Sequence, residues 1–231
     1  MQAKDIMTPA VVTVDADETV SAIAKLLMER KISAVPVLDK SRKLCGIVSE
    51  GDLIRRISDD ADDDRPWWLK MMSSNSQEAG DFIKAHGRTA KDIMTKNVAT
   101  VDENMEISEV AHKLETNRIK RVPVMSGSQM VGIISRSNLL QVVAGQKTEI
   151  AKAATPNDRA LRKQVHDHLD AQNFASHGSL NVIVDEGVVE LWGWVETETE
   201  REALLLAAKE VPGVTEVRDH FGKVSPWVWG A

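Results

Sequence analysis

The chain is poor in the features that mark several large protein classes. Of its 231 residues only one is cysteine, Cys45, which excludes an internal disulfide. No apolar run approaches the roughly 20 residues needed to cross a bilayer; the densest, "ALLLAA" at 203–208, is far too short. The opening "MQAKDIMTPA" lacks the basic-then-apolar pattern of a secretory signal, so a cytoplasmic protein is expected. There is no phosphate-binding glycine loop of the P-loop or dinucleotide type. Cys45 stands in an expected buried strand without a nearby histidine, and His166 and His168 lie two apart on an expected helix, the wrong spacing for shared metal ligation. Both histidines are read as surface residues, and no catalytic constellation assembles. The chain is expected not to be an enzyme.

An excess of basic residues is missing too. The net charge is −6, and residues 157–231 carry it all, with 13 acids against 7 bases, whereas residues 1–156 hold 22 of each. A nucleic-acid surface, where clustered Lys and Arg release counterions, is excluded. Simple capture by anionic lipid is equally disfavoured. Such a shift in composition also marks a domain boundary.

What is present is a repeat. "AKDIMT" occurs at 3–8 and again at 90–95. Displaced by the same 87 positions, "VTVDADETV" (12–20) meets "ATVDENMEI" (99–107) and "AVPVLD" (34–39) meets "RVPVMS" (121–126); after one gap, "GIVSEGDLI" (46–54) meets "GIISRSNLL" (132–140). Each copy is a unit of about 55 residues, small enough that two are expected to share one core. Each predicts a first strand (Val11–Val14; Val98–Val101) and an N-cap at Asp17 or Asn104. A helix follows, with Val20, Ile23, Ala24 and Leu27, or Ile107, Val110, Ala111 and Leu114, on one face. Two more strands come next (Ala34–Leu38 and Leu44–Ser49; Arg121–Met125 and Met130–Ser135), then a last helix from near Gly51 or Ser137.

Two such repeats, each with "DIMT", a "VPV" strand and "G-h-h-S-x-x-[DN]-L", resemble a tandem pair of CBS domains, the Bateman module. The resemblance covers 1–57 and 89–146, leaving 58–88 between the copies. It implies an α/β (α+β) fold of two β-α-β-β-α repeats packed as a pseudo-twofold pair, clefts between them that take AMP, ADP, ATP or S-adenosylmethionine, and a homodimer. No obligatory cofactor is implied. A carboxylate can accept from ribose hydroxyls, and a serine at a helix start can help hold phosphate. By resemblance these roles fall to Ser49 and Asp52 in the first copy and to Ser135 and Asn138 in the second. Arg121, whose counterpart is Ala34, matches a phosphate-contacting position, and Thr13 and Thr100 match backbone positions near the base. Arg55, Arg56 and Arg136 add charge nearby. Ser49-x-x-Asp52 reads equally well as a helix capping box that needs no ligand.

Between the copies, "DDADDD" (59–64) lacks the glycine and glutamate of a calcium loop and reads as a solvated linker. Trp67, Trp68, Leu69, Met71 and Met72 expose too much apolar area to stay unpacked, and "QEAGDFIKAHG" reads as a short helix. Beyond a 147–157 linker, residues 158–222 predict a helix (Asp158–Ala171), a hairpin turned at Asp185-Glu186-Gly187, a helix opened by Thr197-x-x-Glu200 and closed by Pro212-Gly213, and a last strand. The strand Val189-x-Leu191-x-Gly193-x-Val195, the Ala-rich helix and "VPGVTEV" resemble a BON domain of α-β-β-α-β order. That family implies attachment to membranes or envelope components. Trp192 and Trp194 fall on the face opposite Leu191. They are covered either by the tail at 223–231, with Trp227 and Trp229, or by a docking partner: the CBS pair, another protein or a membrane interface.

The leading expectation is a non-catalytic sensor that binds an adenosine-containing ligand in the CBS pair and relays occupancy through the BON-like domain. The alternative is a structural or envelope-associated scaffold whose CBS pair only dimerises.

Overall fold

The computed structural model describes residues 1–9, 11–59, 87–145, 154–172 and 180–223. The first copy holds α1 (Ala3–Ile6), β1 (Val14–Asp15), α2 (Val20–Glu29), β2 (Ala34–Leu38), β3 (Leu44–Ser49) and α3 (Glu50–Asp59). The second holds α4 (Ala90–Ile93), β4 (Val101–Asp102), α5 (Ile107–Thr116), β5 (Arg121–Ser126), β6 (Gln129–Ser135) and α6 (Arg136–Gly145). The C-terminal third holds α7 (Pro156–Asp170), β7 (Asn181–Asp185), β8 (Val188–Val195), α8 (Glu198–Lys209) and β9 (Glu216–Lys223). Three sheets result, ordered β1-β2-β3, β4-β5-β6 and β7-β8-β9. The expected element order holds in all three parts, except that each repeat opens with a short helix, α1 or α4, that was not expected. The acidic run beyond Asp59, the Trp67–Met72 stretch, the short helix expected before Gly87 and the Trp-containing tail lie outside the described residues.

The chain divides into two compact units, one of Val12–Val98 with Ser128–Met130, the other of Met1–Val11, Ala99–Gly127 and Val131–Ala231. In the first unit, Val14, Ile23, Leu27, Val35, Val37 and Val48 form a core together with Ala90, Ile93 and Met94. The last three belong to the second "AKDIMT". Backbone bonds hold that segment in place: Ala90 N–H donates to Glu18 O at 2.8 Å, and Lys91 N–H to Ala16 O at 2.9 Å. The second unit repeats the arrangement in reverse. Ala3 and Ile6 join Val101, Val110, Leu114, Val122, Val124 and Ile134, with Ala3 N–H on Met105 O at 2.8 Å and Lys4 N–H on Glu103 O at 2.9 Å. The opening helix of each copy therefore completes the core built by the other copy. Sequence repeat and packing unit are out of step by about ten residues.

This exchange explains two recurring letters. The Met94 side chain lies against Gly46, and Met7 against Gly132, so closely that a Cβ at either glycine would overlap the methionine sulfur. Glycine is needed there for close approach.

Two expectations are corrected. The first strands form at Val14–Asp15 and Val101–Asp102, not at 11–14 and 98–101. Val14 pairs with Val37 and Val101 with Val124, in parallel. The preceding residues, Thr13 and Thr100, come beside Pro36 and Pro123, which have no N–H to donate, so the ladder cannot extend towards the strand's start. The N-caps of α2 and α5 are Thr19 and Glu106 rather than Asp17 and Asn104. Asp17 and Asn104 instead take Lys91 Nζ at 2.7 Å and Lys4 Nζ at 2.6 Å. Once more a lysine of each "AKDIMT" reaches into the other copy.

In the C-terminal third, β7 and β8 form the expected hairpin. Glu186 (φ 48°) and Gly187 (φ 81°) occupy its turn, and positive φ at both positions matches the right-handed twist of the strands. Strand β9 runs parallel to β8. Helix α7 begins two residues before the expected Asp158: Thr155 caps it, with Asp158 completing a capping box and Pro156 in the first turn. Helix α8 opens on Thr197, whose hydroxyl accepts from Glu200 N–H at 3.1 Å. Leu161, Val165 and Leu169 pack with Val182, Val184, Val189, Leu191, Val195 and Leu204. His166 is not the surface residue expected. It is buried on α7, and burial first, then Arg162, pushes its pKa down to about 3. The ring is neutral at neutral pH.

Candidate functional site

Strand directions bring the candidate residues of the first copy to one end of its sheet. β1 and β2 run parallel and β3 returns antiparallel, with Ala34 opposite Ser49. Thr13, Ala34 and Ser49 therefore gather where α3 begins, and Glu50 N–H closes that corner on Ser33 O at 3.0 Å. Asp52, in the first turn of α3, is buried at 6% exposure. Its Oδ2 accepts from Ser49 N–H at 2.9 Å and Ser49 Oγ–H at 2.7 Å. The acid's half of the capping box read from sequence, its bond back to Ser49 N–H, is thus present, and it holds the carboxylate at the sheet end.

The second copy builds the same corner from Thr100, Arg121, Ser135 and Asn138. Arg136 N–H donates to Lys120 O at 3.0 Å, as Glu50 does to Ser33. Asn138 Oδ1 accepts from Ser135 N–H at 2.8 Å and Ser135 Oγ–H at 2.7 Å. Its amide also donates, to Ile6 O at 3.1 Å and Thr8 Oγ1 at 3.4 Å. Lys113 Nζ donates to Thr100 O at 2.7 Å. Arg121 is half-buried at the start of β5, and Arg136 is exposed. The side chains of Arg55 and Arg56 lie outside the described part of α3.

Comparison with known families decides the identity. The CBS-domain model matches residues 3–59 and 90–145, and the BON-domain model residues 157–221. The chain is a CBS-domain protein with a C-terminal BON domain. It is 30% identical over 156 residues to the uncharacterized protein MJ1426 of Methanocaldococcus jannaschii, covering 62% of this chain and 91% of that one. It is 25% identical to hypoxic response protein 1 of Mycobacterium tuberculosis, over 59% of this chain and 81% of the other. Among solved structures, CBSX2 in complex with AMP is similar with a TM-score of 0.54 and 26% identity, covering 62% of this chain and 96% of that chain.

The BON domain and the second CBS repeat share the second packing unit, and two arginines of α7 join them through α1. Arg159 Nε donates to Asp5 Oδ1 at 2.7 Å. Arg162 is buried and its guanidinium serves both sides: Nε donates to Val182 O at 2.6 Å within the BON sheet, Nη1 to Lys4 O at 3.0 Å, and Nη2 to Met7 O. Burial lowers the Arg162 pKa to about 10, which leaves it charged at neutral pH. From β7, Asn181 Nδ2 reaches Gln141 Oε1 on α6 at 2.6 Å.

The BON sheet has two working faces. Leu191 and its alternating neighbours turn towards α7 and α8, while Ile183 and Trp192 join the core of the second CBS repeat. Of the coverings weighed for the tryptophan face, Trp192 meets the CBS repeat. It stacks on His220 at 3.9 Å between ring centroids and donates to Glu190 Oε2 at 3.2 Å. Trp194 is 59% exposed and lies over Gly222. Among the described residues no helix is long and apolar enough to cross a membrane.

The role of Arg159, Arg162 and Asp5 was missed in the sequence. One signal existed: Arg162 adjoins Leu161 and precedes Val165 by three positions, a charge inside the apolar stripe of a helix.

Proposed function

We propose that the chain is a non-catalytic sensor: an adenosine-containing ligand (AMP, ADP, ATP or S-adenosylmethionine) binds a CBS repeat, and its occupancy passes to the BON domain. The observation that carries this reading is the similarity to CBSX2, whose solved structure holds AMP. The local chemistry agrees. Thr13, Ala34, Ser49 and Asp52 meet at a sheet end beside a helix start, where hydroxyl, carboxylate and helix dipole suit a nucleoside carrying phosphate. Thr100, Arg121, Ser135 and Asn138 are the matching candidates in the second repeat. The contacts of α1 with Asn138 on one side and Arg162 on the other supply a route from repeat to BON domain. Ligand that prefers one arrangement of that route shifts its population by the difference in affinity.

A homodimer and a cytoplasmic setting belong to the same reading. Ile54 on α3 and Leu140 on α6, aligned in the two repeats, are both exposed, which suits contact with a second copy.

Thermal unfolding of the full chain with AMP, ATP or S-adenosylmethionine tests the proposal. Ligand at one hundred times its Kd stabilises by about 2.7 kcal/mol, a rise of several degrees. A midpoint that none of the three moves would sink the sensor and leave the scaffold reading in its place.

A further inference from the structure

Residues 2–8 meet the rest of the second packing unit as a bound peptide would. Ala3 and Ile6 are fully buried in the core of the second CBS repeat, and Met7 fills the space beside Gly132. Thr8 pairs its backbone with Ile133 in both directions, at 2.9 and 3.0 Å. Buried side chains joined to main-chain pairing are a recurring way of holding an extended or helical segment. The BON domain supplies the other wall. The Arg159 fork meets Asp5 twice, Nε on Oδ1 at 2.7 Å and Nη2 on Oδ2 at 3.3 Å, and Nη2 also donates to Gln2 Oε1 at 3.2 Å. Asp5 is buried, where a carboxylate needs a partner of opposite charge. Arg162 takes the carbonyls of Lys4 and Met7. The carbonyl bonds hold the shape of the turn, whereas the bonds to Gln2 and Asp5 select it by side chain.

We propose that the second CBS repeat and the BON domain together form a peptide-binding slot, occupied in cis by residues 2–8, in which Arg159 reads Gln2 and Asp5. The ligand class is a short helical turn with apolar side chains on its buried face and an amide three residues before a carboxylate. This goes beyond the sensor reading and does not depend on nucleotide. The chain carries its own control. Residues 89–95 repeat residues 2–8 in every letter but the first, Thr89 standing where the other copy has Gln2. The Thr89 hydroxyl is two atoms closer to its backbone than the Gln2 amide oxygen and turns to Asp92 Oδ2, at 2.7 Å. A threonine at the first position of the turn therefore leaves Arg159 Nη2 without that acceptor.

A protease site placed at residues 9–11 of the full chain, and cut after folding, leaves every residue in the sample. The freed segment 1–8 should co-elute with the remainder on gel filtration, and a fluorescein-labelled copy should exchange into its place, read by anisotropy. As a competitor, the unlabelled segment should be at least threefold stronger than the same peptide with Gln2→Thr, and at least tenfold stronger than one with Asp5→Asn. In a cut chain carrying Arg159→Ala the preference for Gln2 should vanish, a change that an arginine of merely structural role would not produce. A labelled peptide that fails to bind, or equal competition by the two first peptides against the unaltered chain, would overturn the proposal. The uncut chain gives an independent reading. Gln2→Thr and Arg159→Ala should each speed amide hydrogen exchange at Met7 and Thr8 at least threefold, and the double variant should go no further than Arg159→Ala alone. Effects that multiply in the double variant, or no effect of either change, would refute the shared contact.

Discussion

The Arg159 guanidinium grips the Asp5 carboxylate at 2.7 Å across 154 residues of chain. Asp5 is 3% exposed, and its hydrogen bond raises the Arg159 pKa. Asp92, the same residue of the second "AKDIMT", accepts instead from Thr89 and from Arg88 N–H, and is only partly buried. Among the described residues, Arg159 and Arg162 of the BON domain bond the first hexamer. The sequence accounts for the choice at the neighbouring helix. Gln141, which accepts from Asn181, and Val142, which packs in the shared core, align with Arg55 and Arg56 in the first repeat. An arginine offers no acceptor to Asn181.

Replacing Arg162 should loosen the BON domain more than any surface change. Arg162→Ala strands the carbonyls of Val182, Lys4 and Met7 and should cost about 3 kcal/mol or more, at ~1–3 kcal/mol for each group left dry. Arg162→Lys should rescue little, because an ammonium cannot reproduce the planar fork. Urea unfolding, with exchange at Lys4–Met7, measures both.

Gly46 and Met94 should behave as a coupled pair. Gly46→Ala puts a methyl where the Met94 thioether lies and should destabilise by about 1–3 kcal/mol through overpacking. Met94→Ala vacates that space at its own cavity cost. The double variant should be more stable than the two losses added, with a coupling of at least about 0.5 kcal/mol. Strict additivity would show that the contact is slack.

His166 should make the protein acid-sensitive. Its folded pKa is about 3 against an ordinary value of 6.5. Between those values the unfolded chain binds a proton that the folded chain refuses. The stabilisation is therefore complete above about pH 6.5 and is lost progressively as pH falls towards 3. The expected slope is about 1.4 kcal/mol per pH unit within the window. Denaturant unfolding at pH 7.5, 6 and 5 should show it, and His166→Leu should flatten this part of the profile. An unaltered slope in the variant would assign the acid sensitivity to other groups.

Local order was legible where one physical signal dominated. The period of apolar residues in α2 and α5, the glycine at the β7–β8 turn and the capping pairs at Ser49 and Thr197 were each readable from a few neighbouring letters, whereas the bonds from Ser135 to Asn138 were not expected. The length of β1 and β4 was not, because it depends on which partner residue lacks an N–H, and that is Pro36 or Pro123 some twenty residues away. His166 was misread for a related reason. Its polarity suggested solvent, yet it is 6% exposed and stands one turn from the buried Arg162 on α7. The exchange of α1 and α4 is invisible to a repeat search, since swapping two identical segments leaves the sequence unchanged. At the candidate sites, residue types were legible but their bonds were not: the amide of Asn138 reaches Ile6 O and Thr8 Oγ1, about 130 residues away in the sequence.

The exchange also orders events during synthesis. Helix α1 leaves the ribosome well before its docking surface, residues 101–135, which emerges more than ninety residues later. The first sheet must likewise wait for Ala90–Met94 before its core can close. Neither half can finish alone, and contacts this distant along the chain are slow to form. A nascent chain halted near residue 88 should expose apolar surface on both α1 and the first sheet, making it a substrate for chaperones rather than an early-folded domain.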